Sequence, residues 1–310
     1  MNTTLTIDQV TEKYLAERSI SPISRRTYKA FLTNFWMWCS ANRKDKHSLT
    51  AVDLQEYRQY VIENYSGKYS TSLIRSVKIF FTWMAEHRHM SHNPTSGLKL
   101  PKQANQFLKE PLNEGEVLRL LGLFDRRTPK SRRDYLIIRL MLIAGLRCVE
   151  VSRINIGDIQ TKRGIPVINI QRKGHNTKDD FIAVEQLYKD IEAYMFDLDD
   201  HSPELPLFAS TSPRNPGQRL TPEGVGKVVS KYFDIAGIKS KVVTPHSLRH
   251  TAAVTCIRNN ISLDEIQMFL GHTRQEITKI YTKYANIDIK LKNKPGNFLA
   301  EYYEKLIQQN

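Results

Sequence analysis

Cysteine is scarce, with only Cys39, Cys148 and Cys256 among 310 residues, odd in number and far apart. That excludes a disulfide framework and any cysteine-based zinc spacing, and it suits a reducing compartment. No uninterrupted apolar run approaches the roughly 20 residues needed to span a bilayer. The opening, MNTTLTIDQV, lacks the basic-then-apolar pattern of an export signal. The expectation is a cytoplasmic protein with no membrane partner. Acidic residues are also short, 32 against 46 Lys plus Arg, for a formal net charge of +14. The excess is shared, because residues 1–105 hold 15 basic and 8 acidic side chains, a net of +7, and the remainder holds the other +7. A chain basic at both ends is drawn to a polyanion, and gripping DNA from two sides would use that spread.

What is present speaks for folded domains. Hydrophobic residues make up 40% and charged residues 25%, enough apolar material to offset chain entropy, and the length exceeds what one core usually serves. Up to about residue 90 apolar residues recur at helical spacing, as in Tyr28, Phe31, Phe35 and Trp38 and again in Leu73, Val77, Phe81 and Met84. This predicts a small helical bundle. Its polar faces carry Arg25, Arg26 and Lys29 in one helix and Arg75 and Lys78 in another, candidates for phosphate contact. From His89 to Leu112 the pattern breaks at Pro94, Gly97, Pro101 and Pro111, which marks a linker. Beyond it the spacing predicts helices near Asn113–Phe124 and Asp134–Ala144, then strands over Pro166–Gln171 and Phe181–Val184 flanking a polar turn. The rest reads as mainly helical, with a helix stop at Leu270-Gly271.

Four short segments carry chemistry. In AGLRCVEVSRI, residues 144–154, Arg147 and Glu150 stand three apart and share a helix face, although an Arg–Glu pair taken alone is a common surface feature. In TPHSLRHTAA, residues 244–253, His246 and Arg249 have the same spacing. Two guanidiniums on one phosphodiester would stabilise the extra charge of a pentacovalent transition state, and His246 is a candidate base. His250 is read as structural, about 100° round the helix from Arg249. In LGHTRQEITKIYTKY, residues 270–284, His272 precedes Tyr281 by nine positions. A phenol is protonated at neutral pH, so Tyr281 as nucleophile needs a nearby base and positive charge. The fourth segment is the turn in QRKGHNTKDDFIAV, with Lys173 and Lys178.

The ordered set GLR-xx-E, HSLRH, LGH and a tyrosine nine residues on resembles the tyrosine recombinase (phage integrase) family over nearly the whole chain. The resemblance implies a mainly α fold with a small β-sheet in the C-terminal domain. An N-terminal helical core-binding (SAM-like) bundle would span 1–93, a linker 94–111, an α+β catalytic domain 112–291, and a tail with a helix for subunit exchange 292–310. It implies that Arg147 and Arg249 clamp the scissile phosphate, that Tyr281 attacks it to give a 3′-phosphotyrosine, and that His246 moves the proton. It further implies that His272 hydrogen-bonds the phosphate, that Glu150 orients its neighbours, and that a hairpin lysine is general acid. Lys173 is the choice for that role and Lys178 the alternative. Asp179 and Asp180 depart from the family pattern, which often has a basic residue there, and Cys148 and Val149 vary the first motif. No metal or other cofactor is needed, because protein cations replace a metal clamp. The expected partners are double-stranded DNA with paired recombination sites and three further copies of the chain, in a tetramer associated with the nucleoid. With two domains and no additional arm-binding module expected, the chain looks closer to Xer or Cre-like recombinases than to large phage integrases. Chromosome-dimer resolution and movement of a mobile element both remain open. A type IB topoisomerase and a non-catalytic DNA-binding protein are the competing readings.

Overall fold

The computed structural model describes residues 6–45, 48–101, 110–238, 240, 242–271 and 281–282. The chain forms two compact units, Met1–Gln106 and Phe107–Asn310. The first is a bundle of α1 (Ile7–Glu17), α2 (Pro22–Ala41), α3 (Ala51–Asn64) and α4 (Gly67–Glu86). Capping sets several starts: Thr6 and Thr50 make reciprocal boxes with Gln9 and Asp53, and Ser21 caps α2 ahead of a proline at its first position. The periodic residues of α4, namely Leu73, Val77, Phe81 and Met84, are all buried. In α2, Phe35 and Trp38 are buried, while Tyr28 and Phe31 are only partly covered. Aromatic edges fill the centre, with Phe35 against Tyr57 at 4.8 Å and Phe81 at 5.6 Å, and Tyr14 against Phe80 at 5.1 Å. Leu98, from the stretch read as a linker, is 2% exposed and packs in this core, and Lys78 Nζ donates to its carbonyl at 2.9 Å.

The second unit is built around α6 (Pro129–Ile143), whose Leu136, Ile137, Ile138, Leu140 and Met141 are fully buried. A helix apolar on more than one face must be covered on more than one side. Here α8 (Glu185–Met195), α9 (Pro222–Ile235) and α10 (His246–Arg258) pack on it, with the shorter α5 (Glu114–Leu121) and α7 (Cys148–Arg153) preceding them in the chain and α11 (Leu263–Leu270) following. Strands β1 (Ile159–Lys162), β2 (Ile165–Gln171) and β3 (Lys178–Ile182) form an antiparallel meander in that order. The register pairs Gln160 with Val167, Ile170 with Asp179 and Gln171 with Lys178.

Three differences from the sequence reading have physical causes. Helix α6 begins five residues before the expected Asp134, since its first turn, Pro-Lys-Ser-Arg-Arg, is polar yet capped by Thr128. Strand β1 gave no apolar signal, because three of its four residues face solvent on the sheet edge. Strand β3 runs over the polar Lys178–Ile182 rather than Phe181–Val184, where Asp180 pairs with Lys162 and Asn169 across the exposed face and Val184 instead caps α8.

Candidate active site

Gly145, with φ +61°, ends the approach from α6, and a Cβ there would come 2.7 Å from Leu270 Cδ2. This tight turn sets Arg147 at the N-cap of α7. Glu150, one turn later, accepts the Arg147 backbone N–H at 2.9 Å and Arg147 Nη1 at 2.7 Å. Glu150 is fully buried, so this pair is not a surface feature. The same carboxylate accepts the backbone N–H of Lys173 at 3.3 Å, and the guanidiniums of Arg249 and Arg172 each lie 3.8 Å from its Oε2. Burial pushes the Glu150 carboxyl up, but the Arg147 N–H and the charges of Arg147 and Arg249 outweigh that and hold it below its ordinary value.

Arg249, on α10, is also fully buried, and it donates through Nη1 to the Gly145 carbonyl at 2.5 Å and through Nη2 to the Leu270 carbonyl at 2.6 Å. Burial and the neighbouring Arg147 charge lower its pKa to about 10, so it stays a cation at neutral pH. Tyr281 is 3% exposed and packs with Ala253, Val254, Ile266 and Leu270. Burial raises the pKa of its phenol, opposed by the charge and hydrogen bond of Arg249 and by Arg147. The His250 ring meets the Tyr281 ring edge-on at 5.0 Å and the His246 ring at 4.9 Å. His250 therefore packs against both the candidate nucleophile and the candidate base. Its spacing of four from His246 was the available signal, since such residues lie one above the other on a helix.

Lys173 is exposed in the β2–β3 turn, where Gly174 at φ +87° permits the reversal. Lys178 is diverted, with its ammonium 2.5 Å from Asp158 Oδ1. Sequence reasoning missed Arg172, which is 5% exposed and donates through Nη2 to the Phe269 carbonyl at 3.2 Å. Its burial beside Glu150 depends on the hairpin register, and no motif announces it. His272 and the tail at 292–310 lie outside the described residues. In the first unit Arg25, Arg26, Lys29 and Arg75 are exposed, Lys29 pairs with Glu12 at 2.5 Å, and Lys78 is committed to the Leu98 carbonyl. Among the described residues no three His, Cys, Asp or Glu side chains gather as a metal site, and no helix is long and apolar enough to cross a membrane.

Arg147 with Glu150, Arg249 and Tyr281 thus converge from three separate segments. The model of the phage integrase family matches residues 110–286, more than half of the chain. The chain belongs to that family and is a tyrosine recombinase. This recombinase is 30% identical over 291 residues to tyrosine recombinase XerA of Pyrococcus furiosus, covering 92% of each chain. It is 28% identical over 292 residues to tyrosine recombinase XerD of Listeria innocua, covering 92% of this chain and 95% of the relative. Its fold is similar to that of XerH site-specific recombinase in a post-cleavage complex with a palindromic difH substrate, with a TM-score of 0.73, 19% identity, and coverage of 93% of this chain and 84% of that one.

Proposed function

We propose that this recombinase cleaves and rejoins double-stranded DNA at paired sites through a 3′-phosphotyrosine formed at Tyr281. The Tyr281 oxygen bonds to phosphorus and the bond from phosphorus to the 5′-oxygen breaks. The phenolic proton passes to His246, while the ammonium of Lys173 gives a proton to the 5′-oxygen, which leaves as a hydroxyl. Arg147 and Arg249 hold the non-bridging oxygens and offset the developing charge, with His272 as a further donor and Glu150 keeping the two guanidiniums in place. The phosphotyrosine keeps the energy of the broken phosphodiester, so the 5′-hydroxyl of a partner strand can attack it without ATP. The observation that carries this reading is the burial of the Tyr281 phenol beside Arg249 and Arg147, an expensive arrangement unless positive charge must meet that oxygen. Tyr281 is covered by the side chains packed round it, so reaching a phosphate requires its ring to move outward.

Arg25, Arg26, Lys29 and Arg75 would grip the DNA backbone from the first unit, and Lys78 would do so only by leaving the Leu98 carbonyl. Four copies would exchange strands through a Holliday junction, each passing its tail helix to a neighbour. Two observations favour the tetramer. An apolar groove of about 470 Å³ walled by Leu118, Leu142, Ala252, Cys256 and Phe269 could receive a stripe such as Phe298, Leu299, Tyr302 and Leu306. A lambda integrase of similar fold has been solved as a tetramer bound to a Holliday junction. Similarity over nine-tenths of the chain to XerA and XerD favours a simple recombinase working in the cytoplasm at the nucleoid.

The test is covalent capture. The protein is incubated with fragmented genomic DNA, quenched in SDS, and the attached DNA is sequenced. Wild-type protein should retain one short sequence, and Tyr281→Phe none. Trapping by Tyr281→Phe would overturn the assignment, relaxation of supercoiled plasmids of any sequence would favour the topoisomerase reading, and binding without capture would favour a non-catalytic one.

A further inference from the structure

The turn that carries Lys173 is held from beneath by a second cation. Arg172 follows the last residue of β2, and because side chains alternate along extended chain it points inward while Lys173 points out. Its guanidinium is 5% exposed and donates to the Phe269 carbonyl near the end of α11. It also lies 3.8 Å from Glu150 Oε2. Glu150 in turn accepts the backbone N–H of Lys173. The backbone carbonyl of Arg172 accepts the His175 N–H at 3.1 Å, and Gln171 Nε2 donates to the His175 carbonyl at 3.2 Å, so the turn is closed directly above this anchor. Gly271, with φ +61°, leaves room for it, since a Cβ there would lie 2.8 Å from Arg172 Nε.

Stability alone is a poor explanation for this side chain. Nε and Nη1 of Arg172 have no hydrogen-bond partner among the described residues, although both are buried. Burial lowers its pKa, and Arg147 repels it, against the attraction of Glu150 and Asp179. An apolar side chain of similar length would fill the space without stranding donors or adding a third guanidinium to Arg147 and Arg249. What a guanidinium does there, and an apolar chain cannot, is tie one end of the hairpin to the carboxylate that also holds Arg147. A proton donor works only within hydrogen-bond reach of its target, and the flexible stem of a lysine leaves that distance to the backbone beneath it.

We propose that Arg172 is the positioning residue for Lys173: bridging Glu150 and the Phe269 carbonyl, it fixes the turn so that the Lys173 ammonium reaches the departing 5′-oxygen. This rests on the general-acid role given to Lys173 above. In the step concerned, the phosphorus bond to the 5′-oxygen breaks as that oxygen takes a proton from the ammonium. A 5′-sulfur at the same position leaves as a thiolate and needs no proton, so sulfur erases a defect in proton donation and leaves every other defect standing.

The experiment compares single-turnover cleavage of two duplexes bearing the covalently captured sequence, one with the natural 5′-oxygen at the scissile position and one with a bridging 5′-sulfur. Wild type, Arg172→Met, Arg172→Lys and Lys173→Ala are measured on both. Displacing a catalytic group by about an ångström costs about a hundredfold, and Arg172→Met should be slowed by that order on oxygen. On sulfur it should cut within about threefold of wild type, since only the proton-donation part of the barrier is removed. Arg172→Lys keeps a cation in the pocket, guards against a variant that fails to fold, and should show a smaller defect erased in the same way. The inference is overturned if the arginine variants cut the oxygen duplex at the wild-type rate, or if they are equally slow on both duplexes. Should Lys173→Ala stay slow on sulfur, the general-acid role itself falls and the inference falls with it, an outcome distinct from failure of the arginine variants alone.

Discussion

Guanidiniums crowded into one small volume repel one another, and in the second unit Glu150 is the carboxylate set among three of them. It takes the backbone and side chain of Arg147 directly and lies 3.8 Å from both Arg172 and Arg249. Removing its charge takes from those buried cations the carboxylate that lies within 3.8 Å of all three, so Glu150→Gln should cost about 3–5 kcal/mol in urea unfolding at neutral pH. Its pH signature follows from the direction of its shift. The carboxyl lies below the ordinary glutamate value of 4.5 when folded, so its contribution is complete above that pH and drains away as pH falls through the lower folded value. Glu150→Gln should lack that part of the acid slope. An unchanged slope would mean that the carboxylate is not the counter-charge of the cluster.

At the scale of elements, the hairpin sorts two lysines that sequence left in competition. Register pairs Lys178 with Gln171 inside the sheet, and its ammonium is occupied by the carboxylate of Asp158, whereas Lys173 sits at the exposed tip of the turn. Lys178→Ala should therefore keep strand cleavage within about threefold of wild type, while Lys173→Ala should lose roughly a hundredfold or more, as read by single-turnover assays. The reverse order would return the general acid to Lys178. Much of this architecture was legible beforehand. The stripe of α4 was read correctly because helical periodicity is a local property. The stop at Gly271 was equally visible, and the structure has it in the left-handed region at φ +61°. Strand β1 and the polar start of β3, Lys178–Asp180, were not legible, because what makes them strands is pairing with β2 across an exposed face rather than burial of their own side chains.

Across the whole molecule, charge predicts behaviour that no single contact determines. With a net charge of +14 and a basic surface in the first unit, DNA affinity should fall steeply with salt. Alanine at Arg25 or Arg26 should weaken binding similarly for all duplex sequences and reduce the slope of log affinity against log salt by about 1 each, in fluorescence anisotropy titrations. Lys78→Ala should change that slope less, since its ammonium already serves Leu98. A slope unchanged by the two arginine substitutions would remove them from the DNA-facing surface. The sequence by itself determined which reactive groups exist, their order along the chain and the helical character of the first unit, because residue chemistry and short-range spacing need no knowledge of the fold. Only the tertiary structure decided that one carboxylate serves both Arg147 and the Lys173 turn, that Arg172 joins them and that His250 touches Tyr281. The reason is range: Arg249 meets the Gly145 carbonyl across 104 positions of chain, a proximity set by how helices pack around α6 and written in no local motif.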